Sequence, residues 1–319
     1  MNFLSICTTE TIKSAALALK SGELVAFPTE TVYGLGGDAS NAQAIARIYA
    51  AKGRPADHPL IVHIASLDGM GQWARDIPEY AITLARDFWP GPLTLVLKRS
   101  DLAQDFVTGG QDTVGLRVPA HPIALALINE FSAVGGKGIA APSANRFGAV
   151  SPTTAQAVEE ELAPYLLEGD LIMDGGPSLV GLESTIVDCT GPTPMILRLG
   201  AITPLMVEES TGLVALESNP SGIRASGTLD SHYSPKATVI LDVIAEPGDG
   251  LIAPDQIPTP NGVIRLSAPS SIEQYARELY QALRSADQRG LSVVVVLQPG
   301  GDGLAAAIRD RLQRSAHKA

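Results

Sequence analysis

The sequence predicts an α/β protein of two units: a large one built on a curved, mixed sheet, and a small doubly wound one towards the C-terminus. Three observations carry this. Over the first 200 residues, short apolar runs alternate with helical patterns but not in strict β-α-β order, which suits a mixed sheet. The run "VVVV" at 293–296 is apolar on both faces, as in a buried parallel strand between helix layers. The length of 319 residues fits two domains.

The elements follow in order. Thr9 to Lys20 reads as a helix, with Ile12, Ala15, Ala16 and Leu19 on one face and Gly22 just past the end. Residues 23–27, "ELVAF", follow as a strand. Residues 41–53 read as a helix capped by Asn41 and stopped by Gly53. Strands are expected at 60–64, 93–97, 113–118, 138–141, 171–174, 184–188 and 195–200, and helices near 79–88, 121–131 and 153–162. The pattern weakens from Leu205 to Lys236. It then resumes with the strands "ATVIL" and "GVIRLS", a helix from Ser270 to Asp287, the strand "LSVVVVL" and a helix from Gly303 to Arg314. The expected boundaries are a first domain over 1–204, a linker over 205–236 and a second domain over 237–319.

A hydrophobic fraction of 45% allows a sizeable core. The net charge of −11 argues against non-specific adhesion to nucleic acid or anionic membranes, while a small cluster of cations could still dominate one pocket. Cys7 and Cys189 lie far apart without CxxC spacing, so neither a disulfide framework nor a zinc site is expected, and a reducing compartment fits. The first residues lack the pattern of a signal peptide, and no apolar run approaches the about 20 residues of a membrane span. A cytoplasmic protein without membrane contact is expected.

Several stretches carry chemistry. "FPTETVYGLGGDA" (27–39) leaves a strand and enters a glycine-rich turn. It is neither a Walker loop nor a dinucleotide fingerprint; it brings backbone amides close to a ligand, or its threonines satisfy a turn. In "KGRPADH" (52–58), Lys52 and Arg54 suit a polyphosphate or a solvated helix end. His63 interrupts an apolar strand, as a core histidine or a pocket residue. Arg117, inside "VGLRV", needs an anionic partner, from the protein or from a substrate. "APSANRFGAVSPTT" (141–154) offers many short hydrogen-bonding groups, and Ser184 and Arg198 fall on neighbouring strands. Together Lys52, Arg54, Arg117, Arg146 and Arg198 place cations near strand ends of an acidic protein, which suggests a concave pocket for a highly anionic small molecule. No nucleophile elbow or metal-ligand cluster stands out, so catalysis would rest on positioning and electrostatics. "ASGTLDSHYSPK" (225–236) reads as a linker, yet a spacer needs no His-Tyr pair; "PGGDG" (299–303) reads as a glycine-rich turn.

These motifs, with "FWPGPLTLVL", "VGLRVPAHP", "ESTIVDCTG" and "ILRLGAI", resemble the YrdC/Sua5 family of threonylcarbamoyl-AMP synthases from about Glu10 to Thr203. The remainder resembles the two-domain Sua5 branch, with its linker and Rossmann-like C-terminal domain. The resemblance implies a nucleotidyltransferase that condenses L-threonine, bicarbonate and ATP to threonylcarbamoyl-AMP and pyrophosphate, for threonylcarbamoyl modification of adenosine 37 in tRNA. It implies ATP as substrate, accompanied by Mg²⁺, and downstream threonylcarbamoyl-transferase machinery, with direct tRNA contact at most weak. Threonine would contact Thr31, His63, Arg117, the backbone near Ala141, and Ser184. ATP would contact Lys52, Arg54, His58, Thr113, Ser143, Asn145, Ser151, Arg198 and Tyr233, with Lys52 and Arg54 neutralising the phosphates and the leaving group. The motif His232-Tyr233-Ser234-Pro235 would lie over the nucleotide as part of a lid. Upstream, "ASGTLDS" departs from the Pro-Gly-Met-x-Tyr run of many relatives. An RNA-binding module and a hydrogenase-maturation carbamoyltransferase are the competing readings. The acidic balance counts against the first and the two isolated cysteines against the second.

Overall fold

Period-two alternation decides what each strand of the large sheet buries. The computed structural model describes residues 4–216, 222–227 and 233–317. Among them, ten strands form one mixed sheet: β1 (Leu4–Ile6), β2 (Val25–Phe27), β3 (Gly34–Asp38), β4 (Ile61–His63), β5 (Leu93–Lys98), β6 (Thr113–Arg117), β7 (Ile139–Ala140), β8 (Leu171–Asp174), β9 (Thr185–Asp188) and β10 (Met195–Arg198). Their order is β1-β8-β2-β3-β7-β4-β6-β5-β9-β10. In β2, Val25 and Phe27 enter one core while Ala26 enters another. The first core is closed by α1 (Thr9–Lys20) and α6 (Pro122–Ala133), which pack together. The second, larger core lies under α2 (Ala42–Lys52), α3 (Met70–Trp73), α4 (Glu79–Phe88), α5 (Asp105–Thr108), α7 (Ala155–Leu162) and α8 (Pro204–Thr211).

The helix boundaries have chemical causes. Thr8 caps α1 through a reciprocal box with Thr11, and Asn41 Oδ1 accepts from the Gln43 and Ala44 amides at the start of α2. Gly53, at φ 62°, ends α2 in the left-handed conformation. The segment that reads as linker begins as structure: Thr203 caps α8, Val207 is buried, and the helix packs on α4.

In β5, Leu93, Leu95 and Leu97 face the larger core, so Thr94 and Val96 face the other way. There Val96 and Ile186 pack under Ile223 and Ala225 of the linker. This second face, over β4, β6, β5, β9 and β10, is where the cavity lies.

The second unit is a four-stranded sheet, β11 (Thr238–Leu241), β12 (Gly250–Ile252), β13 (Ile264–Ser267) and β14 (Val293–Val296), in the order β11-β14-β12-β13 with every pair parallel. It packs with α9 (Ile272–Gln288) and α10 (Leu304–Ala316), and β14 is the predicted "VVVV" strand. Its core also takes in Val32, Val150, Leu182 and Tyr233, so it is continuous with the rim of the first unit. No helix among the described residues is long and apolar enough to cross a membrane.

One expectation is corrected. Residues 34–38 of the predicted glycine-rich turn form β3, paired antiparallel with both β2 and β7. Gly36 serves packing: a Cβ there would meet Ile139 Cγ2 and Phe27 Cε1 at 2.8 Å each. Gly36→Ala is expected to cost about 1–3 kcal/mol by overpacking. The measurement is a lower urea midpoint at unchanged denaturant slope.

Candidate active site

Strand ends deliver the charged side chains to one place. His63 and Arg117 are the last residues of the parallel neighbours β4 and β6, in register with each other. Arg198, the last residue of β10, lies opposite Ile186 of β9, next to Ser184. His63, Arg117, Ser184 and Arg198 line a narrow cavity of about 50 Å³ together with Thr31 and Arg54. Ala141, Ser143 and Tyr233 complete the predicted residues that reach it.

Each guanidinium is buried and held. Arg117 donates to Gly91 O at 3.1 Å, Thr31 Oγ1 at 3.0 Å and Glu30 Oε1 at 2.6 Å. Glu30 also accepts from the Ala120 amide, so the partner of Arg117 is a protein carboxylate. Among the described residues, Arg117 uses one N–H on each terminal nitrogen and keeps the other. Arg198 grips Ser184 O through Nε and Nη2 (3.0 and 2.8 Å) and Ser226 O through Nη1 (2.7 Å). Arg54 Nη2 donates to Pro59 O and Ser226 Oγ, and its buried Nε has no hydrogen-bond partner among the described residues.

The remaining predicted residues stand outside this cavity. Lys52 is 2% exposed, and its ammonium donates to Ser143 O at 2.6 Å and Asn145 O at 2.5 Å. It lies at the C-terminal end of α2, and its reach is taken by the loop behind the cavity. Asn145 Nδ2 ties the same loop through Arg146 O and Ala149 O, while its buried Oδ1 has no partner among the described residues. Ser151 donates to Glu183 at 2.6 Å. Thr113 lines a smaller adjoining pocket that shares Ile61 and Ser226 with the first. His58 sits edge-on to Phe147, 5.4 Å between ring centres. Arg146 leaves the expected cation cluster: it lies 4.1 Å over the Tyr165 ring and lines the cleft between the units. His232 falls outside the described residues.

Sequence reasoning missed the carboxylates. Glu30 and Glu183 both line or back the cavity, and Glu183 accepts from Ser151, Tyr280 and Arg311. It also missed Ser226 and Gly227, which cover the two guanidiniums. A Cβ on Gly227 would come 2.2 Å from Tyr233 Oη and 3.1 Å from Arg198 Nη1. The upstream linker is further fixed by Arg224, which donates to Asp57 O and Gly109 O. Among the described residues no cluster of three or more His, Cys, Asp or Glu could hold a metal ion.

Burial shapes the titrations. Burial, then the neighbouring Arg117 charge, push the His63 imidazole down to about 3, so it is neutral in the folded protein. Burial lowers Arg54 to about 10 and pulls Lys52 well below its ordinary value, with Arg54 adding to the shift on Lys52. Burial alone would raise Glu183, but Arg311 and Arg198 outweigh it and hold it at about 2.

The unfolded chain protonates His63 near the ordinary imidazole pKa, and the folded chain does so only near 3. The stability from this group is therefore complete above the unfolded value and is lost as pH falls through that window. His63→Asn should flatten the fall in urea-unfolding free energy between about pH 7 and about pH 5, by up to about 1.4 kcal/mol per pH unit. Parallel pH dependences for the two proteins would overturn the assignment.

Comparison with known proteins places this geometry. The Sua5–YciO–YrdC family model, described as telomere recombination, matches residues 17–200, and the model for the C-terminal domain of threonylcarbamoyl-AMP synthase matches residues 200–317. A threonylcarbamoyl-AMP synthase of Pyrococcus abyssi is 40% identical over 95% of this chain and 93% of its own length. One of Bacillus subtilis is 38% identical over 96% of this chain and 92% of its own. The crystal structure of P. abyssi Sua5 complexed with L-threonine matches with a TM-score of 0.88 at 37% identity, covering 99% of this chain and 97% of that one. Fold, charged strand ends and both domain matches agree: the chain belongs to the Sua5/YrdC family, in its two-domain Sua5 form.

Proposed function

We propose that the chain condenses L-threonine, bicarbonate and ATP to threonylcarbamoyl-AMP and pyrophosphate, as the nucleotidyl-transfer step towards threonylcarbamoyl modification of tRNA. The observation that carries this is the convergence of Arg54, Arg117 and Arg198 on one cavity of a chain with net charge −11. The Nε of Arg54, a residue of the cavity wall, has no partner among the described residues, which fits a site completed by a ligand.

Threonine would present its carboxylate to the free donors of Arg117, which Glu30 and Thr31 hold in orientation. Neutral His63, Ser184 and the Ala141 backbone would take its remaining polar groups. The threonine amine takes up bicarbonate as a carbamate, releasing water. A carbamate oxygen then attacks the α-phosphorus, the bond to the bridging oxygen breaks, and pyrophosphate leaves with the electron pair. Arg54 and Arg198 would neutralise the phosphates. Lys52 fixes the Ser143–Asn145 backbone behind them with two of its three N–H donors. Thr113, His58 and Ser151 would border the nucleotide. Mg²⁺ would arrive on the triphosphate as part of the substrate, because both nearby carboxylates are engaged, Glu30 by Arg117 and Glu183 by Arg311.

The cavity of about 50 Å³ is too small for a nucleotide, since pockets for such ligands run to roughly 300–1,000 Å³. Admission of ATP therefore needs the linker to withdraw. Ser226, which accepts from Arg54 and Arg198, and its neighbour Gly227 would be the segment that moves. Closure behind the substrates would exclude water from a labile mixed anhydride.

Pyrophosphate release should require ATP, threonine and bicarbonate together, and undiminished release without threonine would overturn the reading. Arg54→Ala should lower kcat by about 100-fold with unchanged circular dichroism. Arg117→Lys, which loses the planar fork, should raise the KM for threonine by about tenfold while the KM for ATP stays in place.

A further inference from the structure

The second unit reaches into the site through one side chain. Arg311, on α10, is 0% exposed although it lies outside the cavity. Its Nε donates to Glu183 Oε2 at 3.0 Å, its Nη2 to Leu199 O at 2.7 Å and its Nη1 to Asp310 at 2.5 Å. Its guanidinium also stands 5.4 Å from the ring centre of Tyr233. Tyr280 of α9 stacks on that ring at 5.5 Å and donates to Glu183 Oε2 at 2.8 Å. Ser315 Oγ donates to Tyr233 O at 2.9 Å. Three residues of the second unit thus converge on one carboxylate and one tyrosine of the cavity wall. The approach leaves no slack: a Cβ on Gly181, two residues before Glu183, would lie 2.4 Å from Arg277 Cα.

Glu183 has cations on both sides. Arg311 binds it from the second unit, and Arg198, on the cavity side, makes no ion pair with it and instead donates to the Ser184 and Ser226 carbonyls. A buried carboxylate does not stay uncompensated. If Arg311 were lost, the guanidinium left acting on Glu183 would be that of Arg198, which has no carboxylate partner among the described residues, and pairing would draw it away from any anion in the cavity.

We propose that Arg311 is a positioning residue: by neutralising Glu183 from the second unit, it keeps the Arg198 guanidinium available for the phosphates of the nucleotide. Through the same side chain and through Ser315, it fixes Tyr233 at the cavity wall. The second unit thereby sets the nucleotide half of the site and leaves the threonine half, which Glu30 holds through Arg117, untouched. The inference rests on the synthase reading for the identity of the anion.

The test measures ATP affinity by calorimetry and steady-state pyrophosphate release on the full chain. Arg311→Met should weaken ATP binding and raise the KM for ATP by about tenfold, with the KM for threonine unchanged. The double variant Arg311→Met/Glu183→Gln removes both charges of the pair and should return ATP affinity to near the wild-type value. If Arg311→Met does not fold, Arg311→Lys, which keeps the charge that neutralises Glu183 but not the fork, should hold ATP affinity near the wild-type value, and a tenfold loss in it overturns the proposal. Equal ATP affinity in Arg311→Met and wild type, or a loss that Glu183→Gln does not recover, overturns the proposal. A wild-type chain that binds ATP but releases no pyrophosphate with threonine and bicarbonate overturns the synthase reading instead.

Discussion

The guanidinium groups of Arg54, Arg117 and Arg198 are buried against one small cavity, and much of the first unit is arranged to hold them there. A buried cation costs several kcal/mol unless its donors are met. Here, of the three, a carboxylate meets only Arg117 among the described residues; Arg54 and Arg198 are met by carbonyls and two hydroxyls. Dipoles satisfy the hydrogen bonds without cancelling the charge. The cavity therefore stays electropositive inside an acidic protein, which is the preorganisation an anionic transition state needs.

That constraint accounts for the division of labour along the chain. Strand ends supply Arg117, His63 and Arg198 because a sheet holds its ends more rigidly than a loop holds its tip. A loop supplies Ser143 and Asn145, and Lys52 spends its buried ammonium on making that loop firm. The linker supplies two further acceptors, Ser226 O and Oγ.

Much of this was legible from residue types. The expected helix Thr9–Lys20 and strand Leu171–Asp174 match the observed bounds, because period and caps agree there. His63 and Arg117 are legible as polar residues inside apolar strands and Arg198 as a cation on a predicted strand, and all three line the cavity. β3 was hidden because "GLGGD" has no strand propensity; pairing on both edges and tight packing on Phe27 and Ile139 make it a strand. The hydrogen bonds of Lys52 to Ser143 O and Asn145 O were not legible, because sequence carries no direction for a side chain at a helix end. Arg311 and Tyr280 lie on amphipathic helices where an arginine or tyrosine reads as surface or core, and their partner Glu183 is 128 and 97 residues away. The family resemblance covered the catalytic motifs but not this crossing.

The crossing has a consequence for how the molecule comes apart. Arg311 is buried in one unit and neutralised by a carboxylate of the other, and Tyr233, in the segment between them, packs into the second core. Opening either unit alone would strand a charge in an apolar setting, at a cost of about 3–5 kcal/mol. The two sheets are therefore thermodynamically one body. They should melt in a single cooperative transition, and damage to the far face of the small unit should register as lost stability in the sheet that carries the chemistry.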